Sequence, residues 1–234
     1  MPRESNASKS ARAIEAVKRI DQLYPDLPCH LHHRDPFTLT IAVLLSAQTT
    51  DAQVNKVTPQ LFDRFGDPAS MAAAPLKDVE ACISSLGFYR NKAKNCIAAA
   101  QVLLSEFGGE VPQSAEELMM LPGVGRKTAN VVLNVAFGIV SGIAVDTHVF
   151  RIAQKLKLSS KQDPLDLEQD LLKLLPKEYW KDVNHQWVQF GRDVCIARRP
   201  QCALCVLNDI CPSAFAEEKS KKKAKKVRRS AKAQ

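Results

Sequence analysis

An all-α fold follows from three observations in this sequence of 234 residues. Apolar residues recur at three- and four-residue intervals along most of the chain. No stretch of useful length alternates polar with β-branched residues, so no strand is expected. Polar caps followed by a proline or an acidic residue mark several helix starts: Asp35-Pro36, Ser114-Ala-Glu-Glu117 and Asp163-Pro164.

In chain order, Ala13, Ile14, Val17, Ile20 and Leu23 place an amphipathic helix over 11–24. His30-Leu-His-His33 lies in a polar connector and reads as solvated surface before it reads as a metal site. Asp35 caps the apolar helix 37–46, and the polar turn Leu45–Asp51 caps the next, over 52–65. Gly66-Asp-Pro68 breaks that helix. A short helix over 76–85 follows, and Gly87-Phe-Tyr-Arg-Asn-Lys92 leads into a long one ending at Gly108-Gly109. Ser114 starts another short helix. Ala129, Val132, Leu133, Ala136 and Phe137 then carry a helix beginning at Arg126. Further helices are expected to about Leu156 and from Pro164 to Leu175. Tyr179, Trp180, Val183, Trp187, Val188 and Phe190 would give a last long helix its buried face.

No segment is long and uncharged enough to span a bilayer. The nearest, 129–145, carries Asn130, Asn134, Gly138 and Gly142 and falls short of the roughly 20 apolar residues a span needs. Met1-Pro-Arg-Glu opens no apolar signal core, so the expectation is a soluble protein made inside the cell, cytoplasmic and nucleoid-associated, or nuclear if the source is eukaryotic. The net charge of +8 is concentrated at one end: from Ala216 to Gln234 there are nine Lys or Arg against two Glu. That tail is expected to be disordered. It reads either as a solubilising end or as an arm that tracks phosphates.

The chemistry concentrates in Leu121-Pro-Gly-Val-Gly-Arg-Lys-Thr-Ala129 and the Val145-Asp-Thr-His148 that follows. The first stretch reads as a tight turn that opens a helix, with Gly123 and Gly125 free to take positive φ and to let another group approach. Amides of such a turn and of the helix N-terminus behind it suit a phosphate. Lys127 falls in the first helical turn, where the dipole disfavours an ammonium; burial would add to that and ease access to a nucleophilic amine. Asp146 stands at the start of the next helix as an N-cap, where the dipole favours a carboxylate charge that could also stabilise a cationic sugar.

Cys195, Cys202, Cys205 and Cys211 are spaced C-x6-C-x2-C-x5-C. Four thiolates in one irregular stretch make a metal site, for zinc or for an iron–sulfur cluster. Cys29, Cys82 and Cys96 are scattered and read as free thiols.

The Gly-rich hairpin with its Lys127, the downstream Asp146 and the cysteine spacing together resemble the helix-hairpin-helix endonuclease III family of DNA glycosylases, from about Asp35 to Pro212. The resemblance implies two lobes: a six-helix barrel with the helix-hairpin-helix over 30–138, and an iron–sulfur cluster lobe over 139–215 joined by the N-terminal segment 1–29, with a basic tail over 216–234. It implies a [4Fe–4S] cluster on the four late cysteines, shaping the loop from Ile196 to Gln201 so that Arg198 and Arg199 meet phosphates. DNA would lie across the cleft, with Lys127 and Asp146 facing each other there, and Gly123, Gly125, Arg126 and His148 among the DNA contacts. Gln48 matches the residue that fills the gap left by an extruded nucleotide, and Asp51 a position near the substrate pocket. Phe88 takes the place of a second wedge that is usually Leu; beside Tyr89, Arg90 and Lys92 it also has a composition suited to base stacking.

The implied activity is that of a bifunctional DNA glycosylase and abasic-site lyase, acting as a monomer on duplex DNA with oxidised pyrimidines or abasic sites. Two alternatives stand beside it. Adenine-mismatch glycosylases lack the lysine and carry an acidic residue where this chain has Val43. A non-catalytic DNA-binding module would need neither Lys127 nor Asp146.

The tail can be tested directly. Each phosphate neutralised adds a slope of about −0.9 to log K against log salt, and an arm that engages about three or four of its cations would contribute roughly 3 units. Truncation before Ala216 should flatten the salt dependence of duplex affinity by that amount and leave single-turnover rate at saturating enzyme unchanged. An unchanged slope in the salt titration would make the tail a solubilising or targeting end.

Overall fold

The computed structural model describes residues 4–25 and 27–214, and the basic tail lies outside them. The chain forms two compact units: one takes residues up to Leu27 together with those from Val145 onward, the other Pro28–Ala144. No strand occurs among the described residues, and none of their helices is long and apolar enough to cross a membrane.

The Pro28–Ala144 unit is built round α2 (Pro36–Leu45), whose residues from Phe37 to Leu45 are all buried. A helix apolar on every side has no solvent face to keep and belongs in a core. Its start is fixed by a capping box: Asp35 accepts from the Thr38 amide at 2.8 Å, the Thr38 hydroxyl receives the Asp35 amide, and Pro36 occupies the first turn. Thr40, also buried, returns its hydroxyl to the Pro36 carbonyl at 2.8 Å.

Around α2 pack α3 (Asp51–Phe65), α6 (Tyr89–Phe107) and α8 (Arg126–Phe137). Between them lie α5 (Leu76–Cys82) and α7 (Ala115–Leu118). These are the six helices expected. A seventh, α4 (Pro68–Ala72), stands where the sequence suggested only a break: Asp67 caps it with its own capping box, and it packs on α6 through buried Met71. The Ser114 cap on α7 is half of the expected box. Its hydroxyl receives the Glu117 amide, but the Glu117 carboxylate takes the Ser114 hydroxyl rather than a backbone amide.

In the other unit α1 (Asn6–Leu23) begins five residues earlier than its apolar pattern, because Ser5 caps a polar first turn. It packs on α10 (Pro164–Leu174) and α11 (His185–Asp193), and α11 packs on α9 (Thr147–Lys155). Trp187 and Phe190 fill this core with Ile20 and Val17. The last long helix is a correction. The chain forms two 3-10 turns, Lys177–Tyr179 and Lys181–Val183, before α11, with Asn184 as the residue between the second turn and that helix. Of the expected buried face, Val183, Trp187 and Phe190 are buried, whereas Tyr179, Trp180 and Val188 are half-buried. The Trp180 indole N–H reaches back to the Leu175 carbonyl at 2.8 Å.

Asp35→Ala should lower stability by about 1 kcal/mol through loss of the α2 cap. For a protein of this size that is a drop of roughly 2–4 °C in thermal midpoint. Melts followed by circular dichroism would check it, with Asp67→Ala at the exposed N-cap of the short α4 as the milder control.

Candidate nucleic-acid interface and cluster loop

Leu121 to Val124 form a type II turn. The Val124 amide bonds the Leu121 carbonyl at 3.0 Å, Pro122 sits first, and Gly123 takes φ +84°. A Cβ on Gly123 would meet the Asn95 amide nitrogen at 2.7 Å, so the turn lies directly on α6. Gly125 is different from the expectation. Its φ is −97° and a Cβ there would meet nothing within 4 Å, so neither conformation nor packing inside the protein requires glycine. What its bare backbone leaves open is access from outside, at the N-cap of α8, where the first-turn amides have no intrahelical acceptors.

Arg126 and Lys127 follow, both exposed. Burial, expected to assist the Lys127 amine, is therefore absent in the free protein. Val43, on α2, is a buried core residue.

Gln48 and Phe88, the two expected to enter DNA, share an unusual backbone state. Their φ values are +54° and +57°, in the left-handed region that non-glycine residues avoid. Each such residue costs of order 1 kcal/mol or more. Gln48 is exposed in the turn leaving α2, and Phe88 is 71% exposed at the N-cap of α6. The two turns are linked. Lys92, one turn into α6, is buried and its ammonium donates to the Thr49 hydroxyl at 2.5 Å. Asp51 opens α3, half-buried, and its charge reaches Cys29, whose thiol burial and then that carboxylate push up. The His30–His33 run is tied down by Asn55, which donates to the His30 carbonyl and accepts from the His32 amide.

In the other unit, Asp146 caps α9. Its Oδ1 accepts both the His148 amide at 2.9 Å and the Val149 amide at 2.8 Å, so the cap occupies one carboxylate oxygen only. His148 Nδ1 lies 3.1 Å from the Arg151 guanidinium. Arginine has only donors, so this nitrogen accepts and the proton sits on Nε2. Burial, helped by Arg151 and Arg192 and opposed by Asp146, accordingly holds the imidazole below the ordinary histidine range. Gly191 closes over the pair: a Cβ would fall 2.6 Å from His148 Nδ1.

Arg151, which nothing in the motif reading singled out, ties α9 to the cysteine loop. It donates to the Cys195 carbonyl at 3.0 Å and to the Gly191 carbonyl at 2.9 Å. Its only advance signal is position, three residues after His148 on one helical face. The Gln201 amide bonds the Val194 carbonyl at 2.9 Å and its side chain the Asp193 carbonyl at 3.0 Å, closing a loop that presents exposed Arg198 and Arg199.

The four late cysteines carry free thiols in this one loop. Burial, and then the charges of Cys195, Cys211 and Cys202, push Cys205 up to about 11. Iron binds the deprotonated sulfur, so a cluster here would displace the protons that burial favours on these thiols. Backbone amides and carbonyls orient the set: the Leu207 amide points to Cys205 Sγ at 3.4 Å, and Cys211 Sγ to the Lys155 carbonyl at 3.6 Å. Among the described residues no three Cys, His, Asp or Glu side chains close around a single-ion position. The all-sulfur donor set fits an iron–sulfur cluster.

Comparison with known proteins agrees with this arrangement. Residues 41–177 match the HhH-GPD superfamily of base excision DNA repair proteins, and residues 195–211 match the iron–sulfur binding domain of endonuclease III. Endonuclease III of Synechocystis sp. is 49% identical over 90% of this chain and 96% of its own length. That of Escherichia coli K12 is 42% identical over 86% and 95%. The structure of a trapped endonuclease III–DNA covalent intermediate superposes with a TM-score of 0.84 at 45% identity, covering 89% of this chain and 98% of that one. A thermostable thymine-DNA glycosylase shares the fold, with a TM-score of 0.79 at 23% identity. With the hairpin, the cap carboxylate and the four-thiol loop in place, the chain belongs to the endonuclease III family, the DNA glycosylases and abasic-site lyases of base excision repair that carry a [4Fe–4S] cluster.

Proposed function

We propose that this chain acts as a monomer on duplex DNA, removing oxidised pyrimidines with Lys127 as nucleophile and Asp146 as the carboxylate that assists it. The observation that carries the reading is the placement of Lys127. It is an exposed amine in the first turn of α8, directly behind a turn whose glycines leave backbone amides open to a phosphate.

The damaged nucleotide leaves the stack at a cost of a few kcal/mol, least where pairing is already weak. Gln48 and Phe88 fill the space it vacates. Gly123, Gly125 and Arg126 hold phosphate on one unit; Arg198, Arg199 and His148 do so on the other, and Asp51 lines the substrate pocket. The Lys127 amine attacks C1′, the C1′–N bond breaks, and the base departs with the bonding pair. The nitrogen lone pair then forms C=N as the C1′–O4′ bond breaks, O4′ takes a proton, and the opened sugar is held as a Schiff base. Loss of a proton from C2′ expels the 3′ phosphate and cuts the strand by β-elimination. Asp146, with one oxygen spent on the helix cap, has the other for the positive charge that grows on the sugar. The cluster, when bound, supplies covalent cross-links to the 195–211 loop and takes no part in these steps.

Lys127→Ala should fold normally, bind abasic-site DNA and give no adduct on borohydride reduction. A full yield of trapped complex would place the nucleophile elsewhere and end this assignment.

Asp146→Asn keeps a cap but removes the charge, so the thermal midpoint should barely move while base excision falls steeply. Cleavage of preformed abasic sites should suffer less, because no base has to be expelled. If stability and both activities fell together, Asp146 would be a cap and little more.

A further inference from the structure

Lys92 is out of place by ordinary rules. It lies on the face of α6 that also carries Ala93, Cys96, Ala99, Ala100 and Leu103, the face that packs into the core, and it is only 5% exposed. Lysines are rarely buried unless paired. Among the described residues its ammonium bonds one group, the Thr49 hydroxyl, which is neutral. Cys96, one turn further on, is a thiol that burial pushes up to about 12, so it offers no anion. Burial accordingly pulls the lysine below its ordinary range. A buried ammonium with one neutral partner works against folding stability. Residues that oppose stability concentrate where function demands them.

The position of Lys92 supplies such a demand. Its backbone amide and that of Asn91 both bond the Phe88 carbonyl at 3.1 Å, forming the first turn of α6 on the left-handed Phe88. At the other end, the Lys92 ammonium meets Thr49, and the Thr49 hydroxyl donates to the Ala47 carbonyl at 3.4 Å. The residues on both sides of Gln48 are thus tied to the side chain whose backbone anchors Phe88. Of three non-glycine residues with positive φ among the described residues, Lys92 connects two.

We infer that Lys92 is a positioning residue, a buried brace that holds Gln48 and Phe88 together in the left-handed conformations from which both enter the DNA. The inference rests on reading those two side chains as the groups that fill the gap in the duplex. A flexible brace would not serve: displacement of either tip by about 1 Å is enough to lose much of a positioned contact. The ammonium reaches across from α6 to the turn after α2, a span that an apolar side chain of the same length can fill but cannot bond.

The test uses the full-length holoprotein and a duplex with a tetrahydrofuran abasic-site analogue opposite 2-aminopurine, whose fluorescence rises when the opposite base is unstacked. Lys92→Met keeps the stem and removes the charge. Its thermal midpoint should equal or exceed that of the parent, while affinity for the analogue falls about tenfold and the 2-aminopurine response at saturating enzyme drops. Thr49→Val, which removes the acceptor and leaves Lys92 in place, should reproduce the loss of response. Adding Lys92→Met to the Gln48→Ala, Phe88→Ala double variant should cost little more, because the groups it positions are already gone.

A lower midpoint with proportionate loss of binding would make Lys92 a structural residue and overturn the brace. So would an unchanged response in a stable Lys92→Met. If Gln48→Ala and Phe88→Ala themselves leave affinity and fluorescence unchanged, it is the reading of those two residues that fails, and the brace fails with it. If they reduce both signals and Lys92→Met does not, only the brace is wrong.

Discussion

Burial of α2 on every side is the constraint on which the Pro28–Ala144 unit depends. A helix that keeps Phe37 through Leu45 out of water must be surrounded, and α3, α6 and α8 surround it. Each buried aliphatic or aromatic side chain contributes about 1.5–3 kcal/mol relative to exposure, so these contacts dominate over any single polar bond on the surface. The functional pieces hang on the same helix. Its C-terminal end runs into the Gln48 turn, one neighbour, α8, carries Lys127, and another, α6, begins at Phe88 and supports Gly123 through Asn95. Rigid support of this kind lets exposed turns hold backbone states that a free loop would leave.

The other unit is organised by hydrogen bonds to carbonyls. Arg151 reaches three of them, on Gly191, Cys195 and, at 3.5 Å, Thr147, while its remaining partner, His148 Nδ1, has to be an acceptor. One guanidinium thereby joins the helix capped by Asp146, the end of α11 and the first cysteine of the cluster loop. The fork geometry of arginine suits this, since its donors leave a rigid plane in fixed directions. Lysine at the same place could offer only one point charge. The cluster loop in turn depends on backbone closure at Gln201 and on four sulfur ligands that would give up their protons to bind iron.

Strain and unfavourable charge are used sparingly in the Pro28–Ala144 unit, and beside exposed function. Gln48 and Phe88 sit in the left-handed region, and the ammonium of Lys92 is buried behind them. Many helix starts are conventional by contrast: Asp35, Asp67, Asp146 and Asp163 all cap helices with side-chain bonds. The contrast between well-capped helices and strained turns sets the Gln48 and Phe88 turns apart more sharply than exposure alone does.

Helical class, most helix starts, the tight turn at Pro122-Gly123 and the four-cysteine loop were legible in the sequence, because each depends on residues close together in the chain. Apolar spacing reports a buried face whatever that face packs against, an Asp-Pro pair caps a helix locally, and Pro122-Gly123 needs no partner to turn. Where those local signals were weak the reading missed: α4 is five residues long, and two 3-10 turns interrupt an apolar pattern that runs straight through them. Tertiary structure alone decided the rest. That Gly123 is required by Asn95 while Gly125 is open, that Lys127 is exposed, that Arg151 reaches Cys195 44 residues away, and that Lys92 meets Thr49 across 43 residues, all depend on which helices are neighbours. Local periodicity places a lysine on a buried face. Only the packing of α6 against the turn after α2 shows what its charge is there to hold.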